Sequence, residues 1–144
     1  MTKTIWNKEP KEKKIKPKKV KKKTRWQLIK ELDTLFSRYI RQKNSINWMC
    51  KCITCWKLYQ IKEIQNWHFI TRWNYKYRRD EINCHPQCVV CNIFLRWNYI
   101  AYTLRMINKY WKEKVEEMQN DKELVKISTS RIYEMIDFYK SKLK

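Results

Sequence analysis

Two short cysteine pairs constrain the fold of this chain more than any other feature. Cys52 and Cys55 are separated by two residues, and Cys88 and Cys91 repeat that spacing further along the chain. Each pair can wrap one side of a tetrahedral ion, so together they supply the four thiolates of a closed structural zinc site. Because metal binding contributes folding free energy, the spacing predicts one small zinc-stapled domain.

The two remaining cysteines, Cys50 and Cys84, fall outside the paired spacing. We expect them to be ordinary small apolar residues, with Cys50 as an alternative ligand that could exchange with Cys52. The sequence lacks the apolar region of a secretory signal and any run of about 18 apolar residues. We therefore expect a cytoplasmic protein without membrane contact, whose cysteines are thiols or metal ligands.

The balance of charge indicates a polyanionic partner. Lysine and arginine outnumber aspartate and glutamate by 34 to 14, which gives a formal net charge of +20. Self-repulsion of this size adds nothing to fold stability, and it favours nucleic acid as the partner.

Residues 1–23 are lysine-dominated and contain two of the three prolines. Such a segment cannot bury enough apolar surface to offset its ordering entropy, so we expect a disordered basic arm. Two roles are open: binding DNA phosphates regardless of sequence, or acting as a solvated tail that aids solubility. The lysines assigned to DNA contact are Lys18, Lys19, Lys21, Lys22 and Lys23.

Apolar residues at helical spacing predict a helix over residues 24–43. Thr24 and Gln27 could form a capping box at its start. We expect this helix to pack against the rest of the domain and to carry no chemistry. Its predicted apolar face consists of Leu28, Leu32, Leu35, Phe36, Tyr39 and Ile40.

Two further helices are predicted within residues 98–144. The first runs to about Met118, and the second begins near Ser130, with Thr129 or Ser130 as its N-cap. The apolar face of the first contains Ile100, Leu104, Ile107, Val115 and Met118, and that of the second contains Ile132, Met135, Ile136, Tyr139 and Leu143.

Residues 46–97 have a different pattern, with short aromatic or β-branched runs that predict strands and loops. We expect them to close into a helix that begins near Cys88. The fold class is therefore α+β, with residues 24–144 as a single domain. Its zinc-stapled core is flanked by one N-terminal helix and two C-terminal helices.

Histidine and asparagine residues lie between and directly after the cysteine pairs. His68 falls in an aromatic stretch, Asn83 and His85 precede the second pair, and Asn92 follows Cys91. A histidine on a strand, an asparagine in a loop and a metal-binding asparagine at the start of a helix describe a ββα-metal, or HNH-type, nuclease. The sequence predicts such a core.

Phosphodiester hydrolysis requires these residue types. A neutral imidazole can act as the general base that activates water near neutral pH, and we assign this role to His68. A divalent ion, held by the side-chain oxygen of Asn92, would stabilise the charge that develops on the phosphate. Asn83 would orient the histidine or tie down the loop.

Two other residues are candidates for the same ion, and their roles stay open. His85 is a candidate metal ligand, a group that supports a ligand, or a phosphate contact. Asp80 is a candidate metal ligand or the ion-pair partner of Arg78 or Arg79.

A loop after His68 combines arginines with tyrosines, a composition suited to phosphate contact and to stacking on bases. The alternative interpretation is a solvated charged loop. The residues assigned to DNA contact are Arg72, Tyr75, Tyr77, Arg78 and Arg79.

Together, several stretches resemble a known family. ELDTLFSRYIR, CITC, HFITR and HPQC, with CN after the last cysteine, are similar to the phage NinG (Rap) recombination nucleases. Those proteins act on branched recombination intermediates such as Holliday junctions and D-loops. The CVVCN stretch is also similar to endonuclease VII-type resolvases, which share the zinc-stapled ββα-metal plan. The resemblance covers residues 24–144.

The resemblance implies specific roles. The four paired cysteines would hold zinc, His68 would be the base, and Asn92 would help to hold Mg²⁺ or Mn²⁺. DNA would be the substrate, in the host-cell cytoplasm if a phage encodes the chain. Symmetric cleavage of a junction would require two active sites, which a homodimer supplies. Recombination proteins are possible partners.

Tryptophan stands where the family tends to have glycine, at Trp56, Trp67 and Trp111. Trp67 also fills the position at which many HNH nucleases have a metal-binding aspartate. Trp48 and Trp97 fall at glycine-like turn positions, and the chain has eight tryptophans and no glycine, where about ten glycines are expected. We hypothesise that UGA codons meaning glycine were translated as tryptophan.

The sequence thus predicts a metal-dependent, structure-specific DNA endonuclease. One rival is a non-catalytic zinc module that binds nucleic acid through charge, which would have no need of His68 and Asn92 at these positions. Another is an HNH homing or restriction-type nuclease that prefers linear duplex.

Overall fold

The computed structural model describes residues 22–143. Most of the predicted basic arm, including Lys18, Lys19 and Lys21, lies outside these residues. Of its last two lysines, Lys22 is exposed and Lys23 pairs with Glu31 at 2.6 Å. In chain order the elements are α1 (Arg25–Lys43), β1 (Ser45–Ile46), β2 (Met49–Lys51), β3 (Leu58–Gln60), β4 (Ile64–His68), β5 (Cys84–Cys88), a π-helical turn (Val90–Phe94), a 3₁₀ turn (Arg96–Asn98), α2 (Tyr99–Tyr110), α3 (Lys112–Asn120) and α4 (Thr129–Lys142).

Helix α1 forms as predicted. The Thr24 hydroxyl accepts from the Gln27 backbone N–H, and the Gln27 side chain accepts from the Thr24 N–H, which confirms the capping box. The apolar face of α1 packs against α4, whose N-cap is Ser128 rather than Thr129 or Ser130. The buried residues of this core are Leu28, Leu32, Leu35, Phe36, Ile40, Cys84, Ile132, Ile136 and Tyr139.

The strands form two small antiparallel sheets. Strands β1, β2 and β3 make a three-stranded sheet in that order, and β4 pairs with β5 in a separate hairpin. In the hairpin, Ile64 lies opposite Cys88 at one end and His68 lies opposite Cys84 at the other. Helix α1 contacts both strands of the hairpin. The mixed α+β class and the short strands predicted for the central segment are therefore confirmed.

The segment after β5 differs from the prediction. The helix expected to begin near Cys88 is a short π-helical turn, Val90–Phe94, followed by a 3₁₀ turn. Helices α2 and α3 then pack on β4 and its following loop. The second core consists of Phe69, Tyr77, Tyr102, Met106, Val115 and Met118.

The single helix predicted to run to about Met118 is wrong. It is two helices, α2 and α3, that meet at Trp111, whose φ of 63° and ψ of 158° cannot continue a helix. Residues 98–143 therefore contain three helices rather than two. The predicted face is also shifted, because Ile100 and Leu104 are 81% and 58% exposed, while Tyr102 and Met106 are buried.

Four tryptophans have positive φ: Trp48 at 63°, Trp56 at 65°, Trp97 at 72° and Trp111 at 63°. A bulky L-residue is rarely found there, because its Cβ crowds the following carbonyl oxygen at a cost of about 1–2 kcal/mol per residue. Across residues 22–143, no helix combines the length and apolar character that crossing a membrane requires.

Candidate metal centre and imidazole cleft

The two cysteine pairs come together in space. Cys52 and Cys55 follow strand β2, Cys88 ends β5, and Cys91 lies in the π-helical turn. Their four Sγ atoms all lie within 4.8 Å of one another, and the Sγ atoms of Cys55 and Cys88 are 3.8 Å apart. A tetrahedral zinc site with Zn–S bonds of 2.3 Å has edges of about 3.8 Å. The four thiols could therefore hold a metal ion such as zinc.

Hydrogen bonds to Cys52 favour the thiolate form of its sulfur. Burial alone raises the pKa of Cys52, but the Thr54 hydroxyl, 3.1 Å from its Sγ, and nearby backbone N–H groups outweigh burial and bring the pKa to about 7. The Cys88 N–H also donates to Cys52 Sγ at 3.4 Å. Burial raises the pKa of Cys55 to about 12. At least one thiolate is thus available near neutral pH, as metal binding requires.

The two unpaired cysteines are not members of the four-thiol group, although Cys50 packs in the same small core as Cys52, Cys88 and Cys91. Cys50 is buried and its thiol donates to the carbonyl oxygen of Arg41 at 3.1 Å. Cys84 packs in the core between α1 and α4, where burial raises its pKa well above the ordinary value. Both behave as small buried residues, as expected, and neither belongs to the four-thiol group.

His68 is the last residue of β4 and forms a hydrogen bond with the loop that follows. Its Nε2 atom lies 3.0 Å from the carbonyl oxygen of Arg78. Because a carbonyl oxygen can only accept, Nε2 carries the proton and Nδ1 keeps its lone pair in the neutral ring. Burial is the main cause that lowers the pKa of His68 below its ordinary value of 6.5, so the ring is neutral at pH 7.

A cleft of about 840 Å³ opens beside this imidazole. One wall is strand β4 and the loop after it, and the other is the segment from the 3₁₀ turn to the start of α2. Arg72 and Arg96 are exposed and give the cleft two positive charges. The aromatic wall contains Trp67 and Trp97, whose rings stack at 6.2 Å between centroids.

Asn83 ties down the loop between β4 and β5. Its Oδ1 accepts from the Ile70 N–H at 2.6 Å, and its Nδ2 donates to the carbonyl oxygens of Ile70 and Tyr77, both at 2.9 Å. Asn83 is fully buried. Of the two roles considered for it, the hydrogen bonds match the loop clamp, and they join the loop to itself rather than to the ring of His68.

Asn92 is buried in the π-helical turn, where its Nδ2 donates to Gln65 Oε1 on β4. Gln65 and His68 are three residues apart, so their side chains leave the strand on opposite faces. Asn92 therefore contacts the face of β4 opposite the ring of His68. Its Oδ1 is buried and has no hydrogen-bond partner among the described residues.

His85 is held in a different way from any of the predicted roles. Its Nδ1 lies 3.1 Å from the Tyr102 hydroxyl and its Nε2 lies 3.0 Å from the Tyr110 hydroxyl. Burial lowers the pKa of His85 to about 3. The ring is neutral and both nitrogens are engaged, so neither is free to bind a metal or a phosphate.

Asp80 and the loop arginines also depart from the prediction. Arg78 and Arg79 both pair with Asp33 on α1, at 2.6 Å and 2.7 Å, so of the two roles considered for Asp80 the pairing with these arginines is wrong. Asp80 Oδ1 instead accepts from the Ile82 N–H at 2.7 Å.

The DNA-contact role assigned to part of the loop is corrected by burial. Arg79 is 8% exposed and Tyr77 is 3% exposed, with the Tyr77 hydroxyl donating to Asp121 at 2.7 Å. Neither can present its side chain to DNA. Arg72 is exposed, and Tyr75 is half-buried with the guanidinium of Arg78 over its ring at 5.1 Å.

Several contributing residues carried no signal in the sequence. Asp33 lies on the polar side of α1, which by itself indicates only a solvated face. Gln65 and Gln87 lie in the strands, where Gln87 donates to the carbonyl oxygen of Trp97 at 2.8 Å. The contacts of these three residues are with partners distant in sequence, which only the fold brings near. No local sequence pattern could therefore have identified the three residues.

Comparison with known proteins gives one consistent family. The family model described as Bacteriophage Lambda NinG protein matches residues 2–144. The "Protein ninG" of Escherichia phage 933W is 30% identical over 108 residues, which cover 75% of this chain and 52% of that protein. The "Protein ninG" of Salmonella phage P22 is 28% identical over 131 residues, which cover 91% of this chain and 63% of that protein.

The "Protein ninG" of Escherichia phage lambda is 28% identical over 108 residues, or 75% of this chain and 52% of that protein. The chain thus spans about half the length of the first relatives that it matches. No solved structure matches it.

Proposed function

Since the chain belongs to the NinG family, we propose that it is a metal-dependent DNA endonuclease of the ββα-metal type. Its substrates would be branched recombination intermediates such as Holliday junctions and D-loops. The observation that carries this proposal is a neutral imidazole, His68, whose Nδ1 keeps its lone pair, at the edge of a cleft with two arginines. A protein that binds DNA through charge alone has no use for such a group.

In the proposed reaction His68 is the general base. A water molecule gives a proton to Nδ1 of His68 while its oxygen forms a bond to phosphorus, and the bond to the leaving 3′ oxygen breaks. The hydrogen bond from Nε2 to the Arg78 carbonyl oxygen holds the ring in the tautomer that can accept this proton. It also stabilises the imidazolium that forms.

The catalytic cofactor in this proposal is Mg²⁺ or Mn²⁺. Of the three candidate ligands, Asn92 has a suitable donor atom, a buried amide oxygen with no hydrogen-bond partner among the described residues, but its side chain contacts the face of β4 opposite the ring of His68. Asn92 is therefore not placed to hold an ion on the phosphate that His68 would serve. Asp80 already has one carboxylate oxygen, Oδ1, engaged with the Ile82 N–H. His85 does not fit, because both of its ring nitrogens are bonded to tyrosines. When bound, the ion would stabilise negative charge on the phosphate and on the leaving oxygen.

DNA would be held mainly by its backbone. The formal charge of +20 attracts phosphates, and Arg72 and Arg96 bring positive charge to the cleft itself. These contacts carry no base readout, so we expect the shape of the DNA to matter more than its sequence. A structural zinc ion in the four-cysteine cluster would fix the hairpin that ends in His68.

The decisive experiment is a nicking assay on a four-way junction with Mg²⁺, comparing the natural residue with His68→Ala and His68→Gln. We expect both variants to lose about 10²–10⁴-fold in rate while they retain junction binding and a normal melting temperature. Equal rates in the three proteins would remove His68 from the mechanism. Competition with linear duplex in the same assay tests the preference for branched DNA.

A second candidate function is a non-catalytic, zinc-stabilised module that binds nucleic acid. It is favoured by two observations that do not involve His68, the four-thiol cluster and the net charge. Absence of nicking by every variant with Mg²⁺ or Mn²⁺, together with tight and salt-sensitive junction binding, would select this function instead.

A further inference from the structure

We infer that the natural protein has glycine at positions 48, 56, 97 and 111, where the sequence reads tryptophan. Each of these residues has a φ between 63° and 72°, a region that glycine enters freely and that a bulky side chain avoids. Four separate turns place a tryptophan in this region, and the same chain contains no glycine at all.

Trp48 occupies a hairpin turn that glycine normally fills. Residues Asn47 and Trp48 form the two-residue loop between β1 and β2, where Ile46 pairs with Met49. Both loop residues have positive φ, which is the type I′ turn favoured by paired antiparallel strands. Asn-Gly is the preferred sequence for that turn. Here the first position has the preferred asparagine, but the second has tryptophan where glycine is preferred.

Trp56 and Trp111 end helical turns in the way that glycine does. The Trp56 N–H donates to the carbonyl oxygen of Cys52, and the Trp111 N–H donates to that of Ile107, each four residues back. At Trp56 this bond with positive φ matches the αL cap, where glycine predominates. At Trp111 the ψ of 158° adds to the argument, because that combination is almost restricted to glycine.

Trp97 lies in a second type I′ turn, between β5 and α2. The Asn98 N–H donates to the carbonyl oxygen of Leu95, and the two residues between them, Arg96 and Trp97, have positive φ. The φ of 72° and ψ of −7° at Trp97 are those of the second central residue of a type I′ turn, where glycine is favoured.

Packing does not explain these indoles. All four rings are exposed, and Trp48 and Trp111 are 74% and 77% exposed, so little buried apolar area offsets the backbone strain. One codon accounts for the exchange, because UGA is read as tryptophan in one genetic code and as glycine in another. Glycine encoded by UGA would then appear as tryptophan wherever the wrong code was applied.

The inference changes the cleft beside His68. The ring of Trp97 stacks on that of Trp67 and lines the cleft, so glycine at position 97 removes one aromatic wall. The natural cleft is then wider on the side of the 3₁₀ turn than the tryptophan chain allows.

The gene and the protein made in its source decide the question directly. We expect TGA at codons 48, 56, 97 and 111, and tryptic peptides of the native protein whose masses fit glycine at those positions. TGG codons at these positions, or native peptides containing tryptophan there, would overturn the inference.

Stability gives a second and independent test in the recombinant protein. We expect Trp48→Gly and Trp111→Gly each to raise the melting temperature by a few degrees, because relief of strain outweighs the loss of an exposed ring. The matched control is Trp26→Gly, an exposed tryptophan in the first turn of α1 with an ordinary φ, where glycine relieves no strain and should not raise the melting temperature. An unchanged or lower melting temperature for both turn variants would contradict the inference.

Discussion

The Nε2 atom of His68 lies 3.0 Å from the carbonyl oxygen of Arg78, a residue of the loop that leads from β4 to β5. The tautomer of the imidazole is thus set by the main chain of that loop. Asn83 holds the same loop through three hydrogen bonds to Ile70 and Tyr77. Ring and loop are therefore positioned together.

This relationship predicts the pH dependence of the proposed nuclease. Burial lowers the pKa of His68 below 6.5, so the base is protonated only below that value. The initial rate on a four-way junction should fall as the pH drops through the lowered pKa and should reach a plateau above it. Measured rates with a midpoint above pH 6.5, or an unchanged pH profile in His68→Gln, would contradict this assignment.

The thiol cluster predicts a structural dependence on metal. Purified protein should contain about one zinc ion per chain by elemental analysis, and Cys88→Ser should lose it. Chelation should then lower the melting temperature, because binding free energy becomes folding free energy. Cys50→Ser is the matched control, since Cys50 is equally buried but lies outside the cluster. Equal zinc content in both variants would rule out the four-cysteine site.

We expect the carboxylate of Asp33 to make a large contribution to the stability of the fold. It pairs with both Arg78 and Arg79, and the Arg79 side chain is almost fully buried. Asp33→Asn would leave that guanidinium without its counter-charge, which should cost roughly 3 kcal/mol in the free energy of unfolding by urea. The control is Glu134→Gln, which breaks an exposed ion pair with Arg131 and should change the free energy of unfolding by about 0.5 kcal/mol or less. Similar costs for the two variants would contradict the buried-pair interpretation.

We expect the folded protein to lose stability in acid because of His85. Its pKa is about 3 in the folded chain and near 6.5 when unfolded, so the unfolded state binds the proton more readily. The associated stability is complete above pH 6.5 and is lost as the pH falls towards 3, by about 2–3 kcal/mol at pH 4.5. Urea unfolding at pH 7 and pH 4.5 measures it. His85→Gln should be less stable at pH 7 and should lose less on acidification, and an equal loss would contradict the assignment.

Much of the architecture follows from local patterns. The cysteine spacing predicted a four-thiol cluster, and the Thr24 and Gln27 capping box predicted the start of α1, because both depend on residues close in sequence. The break at Trp111 could not be read from its residue type, since tryptophan gives no sign of positive φ. Only its alignment with a family glycine suggested a special backbone there.

The candidate site was harder to predict because its partners are distant in sequence. Arg79 was assigned to DNA, but Asp33, which lies on α1, draws it into the interior. His85 was a candidate ligand until two tyrosines of α2 accounted for both of its nitrogens. Residue type predicted which side chains could act chemically, and their three-dimensional partners decide which of them remain free to do so.

The two ends of the β4–β5 hairpin are held by interactions of different chemical kinds. At the Cys88 end it is held beside thiols, and at the His68 end the Phe69 N–H donates to the carbonyl oxygen of Asn83 at 2.8 Å. Oxidants attack thiolates and leave amide hydrogen bonds intact. Oxidation of these thiols would therefore loosen the hairpin at its Cys88 end, which is remote from His68, and leave the hydrogen bond at the His68 end in place.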